Sequence, residues 1–598
     1  MCLNWRRVKE MKTWKSLTTS VVLFAVLLQH LCGAIDEEEF ATPSEPVAYC
    51  SFGGLRGTAM KSRAGKNFYA FLGIRYGKAG RFEPPVANME TWDGTRDAVA
   101  DGPSCPQPLN SVTGSTSEDC LYLNVYTPKV VAKGATYAKL PVIIFLHTGA
   151  FLVSSGQSSL WGPQYFMDHH CILVTINYRL GPFGFLSTGD SVVPGNMGLK
   201  DQVLAMQWVQ AYIDCFGGDK NQVTLLGYSA GGASVNFHMV AKPSQHLFHR
   251  GISMGGTAFC GWALERSHGG TMARRLAKIL NCPHESSQQM VDCMKTKSVD
   301  ELKNSVIGLR QWEFDPIVAL KPVIEPRGSS DNPFLTEEPE CTFRSGDFVS
   351  KQWITGTTSN EWMNIAATIV QNQTLLQEFD DLFDGIARTA FFYDKDSIYS
   401  SRKSLVLKNF YFPHGCITNE SLQCITDIYT DGLFMSCADH AVKLVSATNR
   451  NNTYYYNFAF KGNYSEMTSQ QGYCKQIAAV HNDDLTLLFY RKNTSPLLND
   501  SSLDTINSKK LVQLFYNFAR TGNPTPSDGS SGNGLIDFQW IPLTPADLYY
   551  LKVNEKFTMK QGYRQERATI WDEVYCRDEN HPTCEGPALK YRCASKGR

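Results

Sequence analysis

Three short, uninterrupted apolar runs stand out along the chain, at residues 141–146, 171–177 and 222–226, each rich in β-branched side chains. None shows the polar–apolar alternation of a half-exposed strand, so they read as strands buried on both faces of a mostly parallel sheet. Between the last two, Leu199, Val203, Met206, Val209 and Ile213 recur three or four positions apart, which predicts a helix over 198–216 with one buried face. Strand, helix, strand is the signature of a doubly wound α/β domain. Further on, residues 351–356, 454–460 and 549–553 read as strands, and 511–519 and 565–575 as helices. There is no internal repeat. Residues 525–533, rich in Ser, Gly and Asp, read as a flexible loop and not as a domain boundary, so a single catalytic-size domain is expected.

Composition narrows the class. Of 598 residues, 43% are hydrophobic and 19% charged, ordinary for a packed globular protein and unlike a disordered or collagen-like chain. Lys plus Arg and Asp plus Glu number 57 each, so no net field is available to hold nucleic acid or an anionic membrane.

The N-terminus carries Arg6, Arg7, Lys9, Lys12 and Lys15, then the apolar run 21–28, then Cys32-Gly33-Ala34. These are the three parts of a secretory leader: residues 1–34 are expected to be removed, leaving a mature chain 35–598 that starts at Ile35. A membrane anchor would need roughly 18 or more apolar residues in a row. The last nine residues, Lys590 to Arg598, carry no apolar tail, so no anchor is expected there. Of 18 cysteines, Cys2 and Cys32 fall in the leader and 16 remain, an even number in a chain that would fold in an oxidising lumen. Sequons at Asn372, Asn419, Asn451, Asn463, Asn493 and Asn499 crowd the C-terminal part, whereas Asn523 is blocked by Pro524. Together these predict a secreted, extracellular, disulfide-bonded glycoprotein.

Gly227-Tyr228-Ser229-Ala230-Gly231 fits the pattern G-x-S-x-G, after the run 222–226 and before an apolar helical stretch. A tight strand-to-helix turn pushes the serine into a strained backbone conformation, and the flanking glycines keep other side chains away from it. Ala230 N–H, at the helix start, is placed to donate to a developing oxyanion. Upstream, His147-Thr148-Gly149-Ala150-Phe151 follows the run 141–146, where a glycine-containing loop turns the N–H groups of Gly149 and Ala150 toward one oxygen. No two-histidine zinc motif, phosphate-binding loop or dinucleotide fingerprint is seen, so neither a cofactor nor a metal is expected.

With these motifs in place, the sequence resembles the type-B carboxylesterase/cholinesterase family of α/β-hydrolases, nearest in character to secreted insect esterases. The likeness rests on Phe-Leu-Gly-Ile at 71–74, Arg81-Phe82, Glu-Asp-Cys-Leu-Tyr-Leu-Asn-Val at 118–125 and Asn-Tyr-Arg-Leu-Gly-Pro-Phe-Gly-Phe-Leu at 177–186. It continues through Gly-Asn-Met-Gly-Leu-Lys-Asp-Gln at 195–202, Phe-Gly-Gly-Asp at 216–219 and residues 227–235. It implies an α/β-hydrolase fold, a small-molecule ester as substrate, and a triad of Ser229, Glu361 and His481. Glu361 closes Thr-Thr-Ser-Asn-Glu at 357–361 and His481 lies in Ala-Val-His-Asn-Asp-Asp at 479–484. A serine hydroxyl needs a neutral imidazole to take its proton, and the acid holds the ring tautomer.

The resemblance also implies Trp262 and Phe151 in the acyl pocket, an ion pair of Arg81 with Glu118, and disulfides Cys105–Cys120 and Cys282–Cys293. For other cysteines spacing leaves the pairing open, Cys416 with Cys424 or Cys437 with Cys576 among the options. The chain departs from the family at Tyr228, where Glu is common; at Thr148, for a loop glycine; at Gly255, for a serine; and at Asn482, for a glycine. The segment Gly77-Lys-Ala-Gly80 is shorter than usual. Tyr228 in place of an acid, with no Trp in residues 106–119, argues against a quaternary ammonium substrate. Insect juvenile-hormone esterases usually carry Gln at the position of Tyr228, which weighs against that narrower activity. The leading expectation is a secreted serine carboxylesterase; the rival is a catalytically weak or inactive cholinesterase-like binding or adhesion protein. Nothing in the sequence fixes the oligomeric state.

Overall fold

The computed structural model describes residues 45–108, 114–132, 137–266, 270–393, 399–415, 417–467, 478–527 and 534–575. The predicted leader 1–34, the cysteines Cys416 and Cys576, and residues 528–533 of the predicted loop lie outside the described residues. Residues from Pro46 onward form one compact unit.

That unit is built on an 11-stranded sheet. In chain order its strands are β1 (Thr58–Lys61), β2 (Asn67–Arg75), β3 (Tyr122–Thr127), β4 (Leu140–Leu146), β5 (Ile172–Ile176), β6 (Gly218–Tyr228), β7 (Arg250–Met254), β8 (Gln352–Thr358), β9 (Thr453–Phe458), β10 (Tyr549–Val553) and β11 (Thr558–Gln561). In space they run β11-β10-β9-β8-β7-β6-β4-β5-β3-β2-β1. The run from β10 to β5 is parallel, and β11, β3, β2 and β1 add antiparallel edges. This is the architecture of an α/β-hydrolase.

The apolar runs behave as their composition dictates. In β4, Val142, Ile144 and Leu146 enter one core and Ile143 and Phe145 the other, because successive side chains point to opposite faces of a sheet. The strand expected at 222–226 extends over Gly218–Tyr228. Its polar start escaped the apolar pattern, and its register with β4 slips between Gly218 and Val223. The expected helix over 198–216 is α1 (Met197–Tyr212) closed by a tighter turn, Ile213–Phe216. The helix after β6 is α2 (Ala230–Val240). Residues 511–519 lie within a longer helix, Leu503–Thr521, and the last predicted helix is Gln565–Val574.

Cys105–Cys120 and Cys282–Cys293 are bonded as the resemblance implied. Cys437 is not available to Cys576: it bonds Cys260, a partner 177 positions away that local spacing does not reveal. Cys424 is a free cysteine; the option of pairing it with Cys416 falls on a residue outside the described ones. Cys50, at the end of a short strand Val47–Cys50 outside the large sheet, bonds Cys215 in the tighter turn that closes α1. Arg81 pairs with Glu118 through Nε to Oε2 at 2.9 Å and Nη2 to Oε1. Its Nη1 also reaches the carbonyl of Lys297 at 2.6 Å, so the pair pins the segment following the Cys282–Cys293 loop.

Candidate active site

Ser229 stands between the last residue of β6 and the first of α2, at φ 55° and ψ −116°. A non-glycine residue there is strained, and its surroundings enforce it. Ser229 N–H donates to Met254 O on β7 at 2.7 Å, and its carbonyl accepts from Ala233 N–H at 2.9 Å. The glycines permit the tight turn: a Cβ on Gly227 would come within 2.1 Å of Gly231 O, and one on Gly231 within 2.0 Å of Leu146 O. Gly231 therefore lets α2 press against the end of β4, bringing Ser229 to the loop at 147–151. Ala230 opens the helix, and its N–H has no acceptor within the helix.

In that loop Gly149, Ala150 and Phe151 all take positive φ, at 114°, 56° and 57°. A Cβ on Gly149 would meet Val153 O at 2.0 Å, so only glycine fits. Behind them the wholly buried His147 donates from Nδ1 to Thr148 O at 2.7 Å and stacks on Tyr178, whose hydroxyl donates to His147 O at 2.9 Å. Burial pushes His147 down to about 4, so it is a neutral strut. Phe151 is fully buried and packs on Phe185. Trp262 is also buried, donating from its indole N–H to Leu433 O at 2.7 Å. Its edge lies 2.8 Å from where a Gly256 Cβ would stand, and that Cβ would be 2.4 Å from Ser229 O, so Trp262 flanks the serine turn.

Glu361 follows β8 and is completely buried, accepting Thr358 N–H on Oε1 at 2.7 Å. Its Oε2 lies 2.5 Å from His481 Nδ1. Accepting on both oxygens is the pattern of a carboxylate, so Nδ1 carries the hydrogen and Nε2 is left as a base. The two loops are also joined through the backbone, His481 N–H to Glu361 O and Asn360 N–H to Ala479 O, both at 3.0 Å. Three aromatic rings surround His481: Tyr228 at 4.9 Å, Phe434 at 4.8 Å and Trp362 at 5.4 Å between centroids. Tyr228, the neighbour of Ser229, also accepts the Asn482 N–H on its hydroxyl at 2.7 Å. The segments carrying Ser229, Glu361 and His481 thus meet at one place.

Some residues here escaped sequence reasoning. Asp483 accepts the N–H groups of Val480 and Glu466 at 2.8 and 2.9 Å and shapes the turn of the His481 loop. Asp484 is wholly buried and accepts from the Tyr456 hydroxyl at 2.8 Å. Adjacent acids in a sequence read as an exposed turn, so only the double Asp itself marked them. Phe434 lies in a wide turn of helix, Asp431–Met435, the kind of irregularity that gathers at functional sites. Of the sequon asparagines, Asn372, Asn419, Asn463, Asn493 and Asn499 are exposed and Asn451 is partly so.

Sheet order and the strand-to-helix turn at Ser229 define an α/β-hydrolase. The chain belongs to the carboxylesterase family, whose sequence model matches residues 44–571. Venom carboxylesterase-6 of Apis mellifera is 33% identical over 531 residues, covering 86% of this chain and 92% of that protein. Juvenile hormone esterase of Tribolium castaneum is 32% identical over 560 residues, covering 89% and 93%. In fold the chain is similar to the crystal structure of juvenile hormone esterase from Manduca sexta with OTFP covalently attached. That match has a TM-score of 0.78 at 23% identity and covers 89% of this chain and 100% of that one. The protein is a carboxylic ester hydrolase. Among the described residues no helix is long and apolar enough to cross a membrane.

Proposed function

We propose that the chain is a secreted carboxylesterase that cleaves small neutral esters through an acyl-enzyme on Ser229. The observation that carries this reading is the 2.5 Å contact of His481 Nδ1 with the buried Glu361 carboxylate, with Tyr228 linking the histidine to the serine turn. His481 Nε2 takes the proton as Ser229 Oγ bonds to the ester carbonyl carbon. Gly149, Ala150 and Ala230 donate N–H groups to the carbonyl oxygen as it becomes negative. When the carbon–oxygen bond to the alcohol breaks, His481 returns the proton to the departing oxygen. Water then repeats the sequence, releasing the acid and restoring Ser229. Glu361 stays ionised and steadies the imidazolium. Trp262 and Phe151 bound the space for the acyl group.

Four disulfides among the described residues support an oxidising compartment, and the exposed sequons fit passage through it. The absence of an open carboxylate at position 228 favours uncharged substrates. The test is labelling with a fluorophosphonate followed by peptide mapping. Wild type is expected to carry the label on Ser229, and Ser229→Ala to lose turnover by on the order of a millionfold with unchanged melting. Folded protein that takes no label sinks the proposal.

A further inference from the structure

Three departures from the family pattern, Tyr228, Gly255 and Asn482, form one contact. Tyr228 is completely buried, with its hydroxyl on the Asn482 N–H and its ring against His481. Gly255 makes room: at φ 55° a Cβ there would lie 3.1 to 3.2 Å from the Tyr228 ring and hydroxyl. Asn482 sits at φ 74°, a left-handed conformation that glycine and asparagine adopt most readily. Beside this contact lies the carboxyl of Asp484, completely buried, with the Tyr456 hydroxyl 2.8 Å from Oδ2. The ionisable groups facing it are Glu361 from the loop after β8, His481 from its own loop, Tyr456 from β9 and Tyr228 from the end of β6.

We propose that Tyr228 and Asp484 are positioning residues for ester cleavage: the Tyr228 hydroxyl holds the loop bearing His481, and Asp484 is a second buried acid whose charge state tunes that imidazole. The inference rests on His481 being the base. Burial, then the charge on Glu361, pushes the Asp484 carboxyl up to about 7, while the Tyr456 and Tyr228 hydroxyls and His481 pull the other way. Two buried carboxyls near one imidazole do not both ionise freely. As pH rises through about 7, Asp484 loses its proton and sets a second negative charge near the imidazolium formed when Ser229 attacks. Activity therefore climbs in two steps on the acid side.

The experiment measures kcat and KM for a neutral p-nitrophenyl ester against pH in wild type, Asp484→Asn, Tyr228→Phe, the double variant and His481→Ala. Asp484→Asn is expected to lose the upper step, lowering the plateau kcat about tenfold with KM unchanged. Tyr228→Phe removes one hydroxyl that favours the charged carboxyl, so the upper step moves to higher pH by about one pH unit. In the Asp484→Asn background the same change moves nothing along the pH axis. Profiles of wild type and Asp484→Asn that superimpose, or a Tyr228→Phe displacement that persists in the double variant, overturn the inference. If Asp484→Asn does not fold, the Tyr228→Phe profile decides: an unmoved upper step overturns it. His481→Ala with wild-type turnover overturns the triad itself, whereas an inactive His481→Ala beside a silent Asp484→Asn removes only this inference.

Discussion

Ser229 holds its strained φ of 55° because neighbours on three sides leave it no other. Met254 O fixes its N–H, Gly227 allows the approach of Gly231, and Gly231 allows the approach of Leu146 O. Even the smallest side chain is therefore damaging at Gly231. Gly231→Ala puts a methyl 2.0 Å from a backbone oxygen, which helix α2 can relieve only by lifting off β4. Overpacking of this kind costs roughly 1–3 kcal/mol, while a shift near 1 Å between reacting groups costs about a hundredfold in rate. Gly231→Ala is expected to lower kcat far more than its melting temperature suggests. Wild-type kcat in the variant, read beside calorimetry, would show that the helix is not held where Gly231 places it.

At the scale of elements, a crosslink adds to what strand order does at the site. Cys260–Cys437 joins the loop after β7, which carries Trp262, to the helix after the wide turn bearing Phe434. The Trp262 indole N–H bonds Leu433 O in that turn, and Phe434 packs on both Trp262 and His481. Replacing both cysteines by alanine is expected to cost roughly 2–5 kcal/mol and to raise KM, because the wall beside the serine loses its tether. By contrast Cys282→Ser with Cys293→Ser should lower the melting temperature and leave KM alone. Equal effects of the two pairs on KM would refute the distinction.

At the scale of the whole molecule, one sheet delivers the three loops to a single edge. The parallel strands β6, β8 and β9 present their C-terminal ends together, the place where open α/β sheets hold their ligands. The proposed route through the secretory pathway is tested on the intact protein: expressed with residue 1 onward in insect cells, the chain recovered from the medium should begin at Ile35. It should also lose mass on treatment with a peptide N-glycosidase. An intact Met1 on recovered protein, or retention inside the cell, counts against the leader.

Much of this was readable from residues alone, and the reason is local. Uninterrupted β-branched runs are buried on both faces wherever they occur, so β4, β5 and β6 follow from composition. The spacing of Gly227, Ser229 and Gly231 is the stereochemistry of one turn. The pattern behind the proposed leader, the sequons and the even number of cysteines need no fold to be seen. The resemblance implied the distant set of Ser229, Glu361 and His481; what needed the fold was every other contact between distant segments. Cys260 finds Cys437, and a second acid at Asp484 faces Glu361 across 123 positions of chain. Tyr228, Gly255 and Asn482, three separate oddities in the sequence, become a single packed contact. Backbone geometry and hydrophobic patterning can be read between neighbours along the chain, whereas disulfides, hydrogen bonds and charge join groups across space, and only the folded sheet decides which groups that space brings together.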